Sequence, residues 1–323
     1  MNSKISIQIA TWKRKEMLKK LILSLEFQSL NRDNYEICVC DSYSDDGTKN
    51  MIDDLIEVYK NIKYYNIKTN TLSAKRNFLF KNTDAELIIT MDDDLIADSN
   101  FIKNHLIAHH NSKNIVFCGQ VRFPNDWVNS SNYYKYRDSN HLKGRIIIDN
   151  LPSQNIVVMN MSLKKYEIEK IGFMDENFIK YGGEDLEFGL RLKQNNIQIK
   201  YLSDAIVYHF ENSSFDRYLY KLYITARFGF KQVFEKFPNH KFNSKLNLLF
   251  PIKNSDKILT KSNKIIFKIL INALVSNVIK YFLLATDRIS FFYSRRLYHF
   301  VCSNSLKKGI KDQKLESHDS NWL

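Results

Sequence analysis

Three consecutive carboxylates, Asp92-Asp93-Asp94, follow the apolar run Leu87-Ile88-Ile89-Thr90-Met91. Such a run is comfortable only as a strand buried on both faces. The acids then stand where the strand leaves its sheet, and ligands bind at the carboxyl edge of an open α/β sheet. Carboxylates crowded there either repel one another or share a cation, and an oxygen-rich set suits Mg²⁺ or Mn²⁺. Alone, the triplet reads equally well as an acidic turn capping a helix predicted over Ser99 to His110. A second acidic pair, Glu184-Asp185, opens a predicted helix directly after Gly182-Gly183. The glycines permit close approach of backbone to a ligand. The acids either cap the helix or supply a proton acceptor. A third candidate, His209 in Tyr208-His209-Phe210, has the setting of a buried, hydrogen-bonded imidazole as much as of a ligand.

These residues need elements to position them. Lys4 to Ala10 alternates with period two and predicts a strand, and Met17, Leu18, Leu21, Ile22 and Leu25 recur at helical spacing. Tyr35 to Cys40 predicts a second strand ending on Asp41-Ser42, and Ser44 to Thr48 is turn chemistry leading into a helix with Met51, Ile52, Leu55 and Val58. A strand over Ile62 to Tyr65, a helix over Ser73 to Phe80 and the strand before Asp92 follow. Alternation at this pace means βαβ units and a mainly parallel sheet. Neither GxGxxG nor GxxxxGK[ST] is present, so phosphate is not held by a glycine-rich loop. Further strands are expected over Ile115 to Phe123, Gln154 to Ser162 and Ile197 to Leu202. Between the first two, Pro124 to Asn150 has no clear period and reads as an aromatic, amide-rich loop (Trp127, Tyr133, Tyr134, Tyr136), which is either a loop for the faces and hydroxyls of an acceptor sugar or an ordinary long loop.

In order along the chain, Ala10-Thr11-Trp12-Lys13-Arg14, Asp41 to Thr48, Ala74-Lys75-Arg76-Asn77 and Asp92-Asp93-Asp94 resemble the signature blocks of family 2 glycosyltransferases with the GT-A fold. Ala10, Trp12 and Lys13 depart from the usual Pro-Thr-Tyr-Asn-Arg of the first block. The resemblance implies an α/β, Rossmann-like catalytic domain that takes a nucleotide-sugar donor, with UDP as the expected nucleotide. Thr11, Arg14, Asp41, Ser42, Arg76, Asp92 and Asp93 are its donor-side residues, with Asp41 on the base. Asp92 and Asp94 are the acids of the metal motif. The block Ile171 to Leu192 resembles the Gly-Gly-Glu-Asp region of β-1,4-galactosyltransferases and bacterial chondroitin-type polymerases. That likeness implies Asp185 as the base of an inverting transfer, Glu184 as the residue orienting a saccharide or lipid-linked acceptor, and His209 as the third ligand of Mn²⁺ (or Mg²⁺). Tyr181 stands where Trp is usual and Lys180 where Gly is usual. A polyprenyl-phosphate glycosyltransferase shares the early blocks but needs no strong base. A non-catalytic scaffold of the same fold would have no need of the acids.

Across 323 residues, 44% hydrophobic and 13% aromatic content support a real core. The net charge of +13 is uneven: residues 1–212 hold 28 basic and 28 acidic side chains, residues 213–323 hold 20 and 7. This predicts a catalytic domain over 1–212 and a basic helical region over 213–323, with an anionic membrane surface as a candidate partner. No motif points to nucleic acid. Phe215 to Phe237 predicts a helix. Ile265 to Ala285 is apolar, but Lys268, Asn272, Ser276 and Lys280 recur four apart, which fits an amphipathic helix, lying in a membrane interface or packed on the catalytic body, better than a span. Lys307, Lys308, Lys311 and Lys314 add basic charge. Cys38 and Cys40 share one face of a strand as core residues, and with no apolar leader the expected compartment is the cytoplasm, peripherally at the inner face of a membrane.

Overall fold

The computed structural model describes residues 5–141, 151–239 and 272–313. They fall into two compact units. The first comprises residues 1–126, 137–177 and 185–211. It is built on one eight-stranded sheet whose strands are β1 (Ile5–Ala10), β2 (Tyr35–Asp41), β3 (Ile62–Asn66), β4 (Leu87–Asp92), β5 (Leu95–Ala97), β6 (Ile115–Arg122), β7 (Asn160–Lys164) and β8 (Gln198–His209). Their order across the sheet is β3-β2-β1-β4-β7-β6-β8-β5. β1, β2, β3 and β4 are mutually parallel, as are β6 and β8, while β7 runs against both β4 and β6. The fold class read from the sequence, α/β with a mainly parallel sheet, is the one observed.

The helices of this unit are α1 (Lys15–Glu26), α2 (Thr48–Val58), α3 (Leu72–Lys81), α4 (Phe101–His109), α7 (Lys165–Ile171) and, after its first residue, α8 (Glu184–Gln194), whereas α5 (Asn125–Ser130) and α6 (Asn132–Asp138) lie mostly in the second unit. α1 buries Leu18, Leu21, Ile22 and Leu25, and α2 buries Met51, Ile52 and Leu55. β1 alternates in sequence, yet all six of its residues are buried because both faces of a central strand are covered. Its inward polar side chain, Gln8, donates Nε2 to Leu79 O of α3 at 3.0 Å, so the strand's polar face anchors a helix. Cys38 and Cys40 are buried as expected.

Three expectations shift. Pro124 to Asn150 is helical over α5 and α6 in its described part, and residues 142–150 lie outside the described residues. The strand expected over Gln154 to Ser162 begins only at Asn160, after a 3₁₀ turn at Ser153–Asn155. The apolar run Ile156 to Met159 made the segment look extended throughout. β8 runs to His209 instead of ending near Leu202.

The second unit comprises residues 127–136, 178–184 and 212–323. Its described helices are α9 (Phe215–Ile224), α10 (Phe230–Lys236), α11 (Ala273–Ala285) and α12 (Arg295–Asp312), with a π-helical turn at Thr225–Gly229 joining the first two. Tyr133, Tyr136, Phe215, Leu219, Leu283, Tyr298, Val301 and Cys302 form its core, with Tyr136 stacked on Tyr298 at 4.7 Å. The polar stripe of α11 turns inward. Asn272 caps the helix, Ser276 is buried, and Lys280 pairs with Asp216 at 2.9 Å. Lys268 and Lys314 lie outside the described residues. No described helix is long and apolar enough to cross a membrane.

Candidate active site

Strand register brings the early motifs to one edge. Ala10 pairs with Cys40 on one side and Asp92 on the other, so Thr11, Asp41 and the acidic triplet emerge together at the carboxyl ends of β1, β2 and β4. Asp92 ends β4, Asp93 and Asp94 form a turn, and β5 starts at Leu95. A strand therefore separates the acids from α4, and the residue at that helix's N-cap is Asn100. The triplet does not cap the helix.

The same register places the histidine. Leu95 lies opposite His209 in the antiparallel β5–β8 pair, and Phe210 N donates to Asp94 O at 2.8 Å. His209 Nε2 consequently sits 3.3 Å from Asp94 Oδ1. Its Nδ1 is buried with no hydrogen-bond partner among the described residues. Phe123 packs on the imidazole at 5.3 Å and is itself covered by the Arg137 guanidinium, which pairs with buried Glu211 at 2.6 Å. These three side chains were not picked out in the sequence. Their signal was a buried charge pair, which becomes visible only once α6 is seen to be a helix.

The three acids have different partners. Asp92 Oδ1 is 2.6 Å from Arg76 Nη2. Asp93 accepts from Thr11 Oγ1 at 2.8 Å and lies 3.7 Å from Arg14 Nη1. Asp94 Oδ2 accepts from Arg14 Nη1 at 2.5 Å. Burial, joined by the charges of Asp94 and Asp92, pushes the Asp93 carboxyl up to about 7 against the pull of Arg14 and Thr11. Burial also works to raise Asp94, but the hydrogen bond and charge of His209, reinforced by Arg14, hold it well below the usual carboxylate range. These partners favour the ionised form of Asp94. Among the described residues no three His, Cys, Asp or Glu side chains are gathered closely enough to cage a metal ion. Asp94 and His209 stand together, and Asp92 stands on Arg76.

α3 carries an unusual inner face. Lys75, Arg76 and Asn77 are all buried there. Charged side chains are rarely buried unless paired, and each of these has work. Lys75 Nζ donates to Thr11 O at 2.9 Å and Asn70 Oδ1 at 2.7 Å. Arg76 reaches Asp92 through Nη2 and Asp185 Oδ1 through Nη1 at 3.8 Å. Asn77 exchanges bonds with Met174 O and N at 2.9 Å. One helix thus ties the metal-motif strand to the start of α8. Lys75 was not singled out in the sequence, although it sits inside the Ala74 to Asn77 block.

Asp185 occupies the first turn of α8, after Glu184, as expected. Burial first, with Asp92 adding, raises its carboxyl above the ordinary range against the opposing Arg76. The side chain keeps 40% of its surface open, so solvent tempers that rise. Asp41 is fully buried, with Oδ1 accepting from Ser42 N and Ser44 Oγ at 2.7 Å and Oδ2 from Tyr64 OH at 2.9 Å. In this arrangement it braces its own loop, and a base would have to replace one of these bonds. Ser42 Oγ donates to Thr69 O at 3.0 Å.

The profile of glycosyl transferase family 2 matches residues 6–166, and that of the N-terminal domain of galactosyltransferase matches residues 149–213. The uncharacterized glycosyltransferase YfnE of Bacillus subtilis is 24% identical over 65% of this chain and 66% of its own length. The hyaluronan synthase of Pasteurella multocida (23%) and the chondroitin synthase of Escherichia coli (24%) each match 64% of this chain. The chain spans only 24% and 34% of those two synthases. In fold, it resembles the Pyrobaculum calidifontis mannosyltransferase PcManGT in complex with GDP-Man and Mn²⁺, with a TM-score of 0.59 at 12% identity over 95% of this chain and 87% of that one. It also resembles S. aureus TarS 1-349 in complex with UDP, with a TM-score of 0.52 at 16% identity over 96% and 90%. Two adjoining family profiles, a GT-A sheet and acids at its carboxyl edge lead to one assignment: the chain belongs to family 2 of the glycosyltransferases, with a Gly-Gly-Glu-Asp block of the kind found in galactosyltransferases and chondroitin-type polymerases.

Proposed function

We propose that this glycosyltransferase moves a hexosyl group, with inversion, from a nucleotide-diphosphate sugar to a hydroxyl of a glycan or lipid-linked saccharide, in the synthesis of a surface polysaccharide. UDP is the nucleotide proposed, in keeping with the complex of S. aureus TarS with UDP. The observation that carries the reading is Arg76, whose guanidinium links Asp92 of the metal motif to Asp185. Groups that serve the leaving diphosphate and the attacking hydroxyl are held by one buried side chain.

Asp185 takes the proton from the acceptor hydroxyl as that oxygen attacks the anomeric carbon, and the bond from that carbon to the diphosphate oxygen breaks on the opposite face. A carboxyl raised toward neutrality but still ionised at working pH suits a base. Glu184, its neighbour on α8, orients the acceptor sugar. Thr11, Arg14, Ser42 and Arg76 line the donor side, with Asp41 directed to the base and Asp93 holding the loop through Thr11.

The residues present fit a divalent cation. Asp94 is anionic, His209 Nε2 lies 3.3 Å from it, and the buried Nδ1 of that ring has no partner among the described residues. Mg²⁺-type sites use one or two carboxylates and complete their shell with substrate phosphates and water. Asp94 and His209 would hold the cation, with Asp92 as the motif's other acid, and a diphosphate and water would complete its shell. An imidazole in the set favours Mn²⁺. The cation, when bound, supplies positive charge to the departing diphosphate.

Attachment to an anionic membrane surface is part of the reading. With its polar stripe turned inward, α11 shows Leu274 (76% exposed) and Val278 (71%) to solvent, and Phe291 follows at 87%. Arg288, Arg295 and Arg296 of the same unit are exposed as well. Exposed apolar side chains and cations on one unit suit the headgroup boundary.

Calorimetric titration of UDP with and without Mn²⁺ tests the donor side. Affinity should fall about 10- to 100-fold in EDTA, and Asp94→Asn should reproduce the loss with Mn²⁺ present. Equal UDP affinity in all three conditions would remove the cation from the reading.

A further inference from the structure

The helical unit contains a cleft of about 880 Å³ bounded by α5, α9 and α11. Its size falls in the range of small-molecule sites. Trp127 and Tyr134 form one wall, their rings 4.9 Å apart and both half-buried. The opposite side carries Asn212, Ser213 and Ser214, and Arg288 stands at the rim. Tyr134 OH donates to Asn212 Oδ1 at 3.3 Å, which joins the two sides.

Ser213 is the telling residue. It is 6% exposed, lines the cleft, and its Oγ is buried with no hydrogen-bond partner among the described residues. A buried hydroxyl left unmatched is uncommon and calls for a partner from outside the chain. Ser214, by contrast, is committed, since its Oγ accepts from Arg217 N at 3.2 Å to cap α9.

The lining also says what that partner is. Its charged side chains are one acid and one base, and the acid, Asp287, already accepts from Tyr133 N at 2.7 Å. Among the described lining residues no cluster of cations is present to hold a phosphate. Amphipathic aromatic faces beside hydroxyl and amide groups match a ligand with apolar C–H faces and a rim of hydroxyls. We infer that this cleft is a saccharide subsite, with Trp127 and Tyr134 as the stacking wall and Ser213 Oγ as an anchoring hydrogen bond. The choice of ligand rests on the glycosyltransferase assignment. The cleft extends it by giving the second unit a grip on a glycan chain that is independent of the donor nucleotide.

The test uses the full chain and three probes: maltotetraose, chitotetraose and a chondroitin hexasaccharide. Saturation-transfer NMR and tryptophan fluorescence are recorded without nucleotide and again with UDP and Mn²⁺. At least one saccharide should bind in both conditions. Trp127→Ala should weaken it by about tenfold or more, and Ser213→Ala by about two- to tenfold, the range for one hydrogen bond. Thermal melting checks that each variant is folded. Binding by none of the three, binding indifferent to both substitutions, or displacement by UDP would overturn the subsite. Saccharide binding retained by a chain that fails to bind UDP would count against the donor reading and leave the subsite standing.

Discussion

Asp92, Asp93 and Asp94 share one stretch of sequence and meet three different environments. The stretch itself showed acids arriving at a sheet edge, and that much was readable. Which partner each acid meets was not, because Arg14, Arg76 and His209 come from three distant segments. The buried polar residues Asn160 and Ser162 show the same limit. They look like ordinary strand residues, but they receive two histidines of α4, with His105 Nδ1 at 2.8 Å and His109 Nε2 at 2.9 Å from Ser162 Oγ. Burial pushes His109 down to about 4, helped by the Lys164 charge and opposed by Ser162. The sign for stability follows. The unfolded ring takes a proton below its ordinary 6.5, while the folded ring does not until about 4, so its contribution to stability falls as pH drops through that window. The loss is about 1.4 kcal/mol per pH unit. Relative to His109→Gln, the natural chain should therefore lose about 2–3 kcal/mol between pH 7 and 4.5 in urea titrations. Parallel pH profiles for the two proteins would show that the ring is not buried neutral.

At the scale of elements, hydrophobic period found β1, β2, β4, α1 and α2, because each has a clear buried face or is buried throughout. It missed α5 and α6, whose aromatic and amide residues carry no 3.6-residue stripe. It also misread the approach to β7, where an apolar run fills a core without being a strand. The Gly182-Gly183 pair was recognised, but its reason lies elsewhere than expected. Both residues have positive φ, and a Cβ on Gly183 would come within 2.7 Å of Gly229 Cα in the π-helical turn. Gly183 is required by the backbone of Gly229 and Gly182 by the side chain of Thr225, whether or not a ligand approaches. Gly183→Ala combines a strained φ with overpacking, and it should cost about 2–4 kcal/mol in thermal or chemical unfolding. A change below about 0.5 kcal/mol would mean that this contact is absent.

For the whole molecule, charge asymmetry marks the final third as a region of its own composition. Its membership was not readable, since residues 127–136 and 178–184 join residues 212–323 only through packing. The expected amphipathic helix is there in its described part, Ala273–Ala285, but with the polar side inward and the apolar side exposed. Leu274→Asp together with Val278→Asp touches exposed positions and should leave stability within about 0.5 kcal/mol. Co-sedimentation with vesicles rich in anionic phospholipid should drop at least about tenfold, because two charges are forced into the boundary region. Undiminished binding would locate membrane attachment elsewhere or deny it.

The assignment of Asp185 as the base is the claim on which the catalytic account turns, and one substitution isolates it. Asp185→Asn keeps the side chain's size and removes its capacity to accept a proton. With Mn²⁺ present, the variant should bind UDP as the natural chain does, while transfer to acceptor falls by about 10²- to 10⁴-fold, the usual worth of a general base. Transfer at the natural rate by a variant with normal UDP affinity would contradict the account.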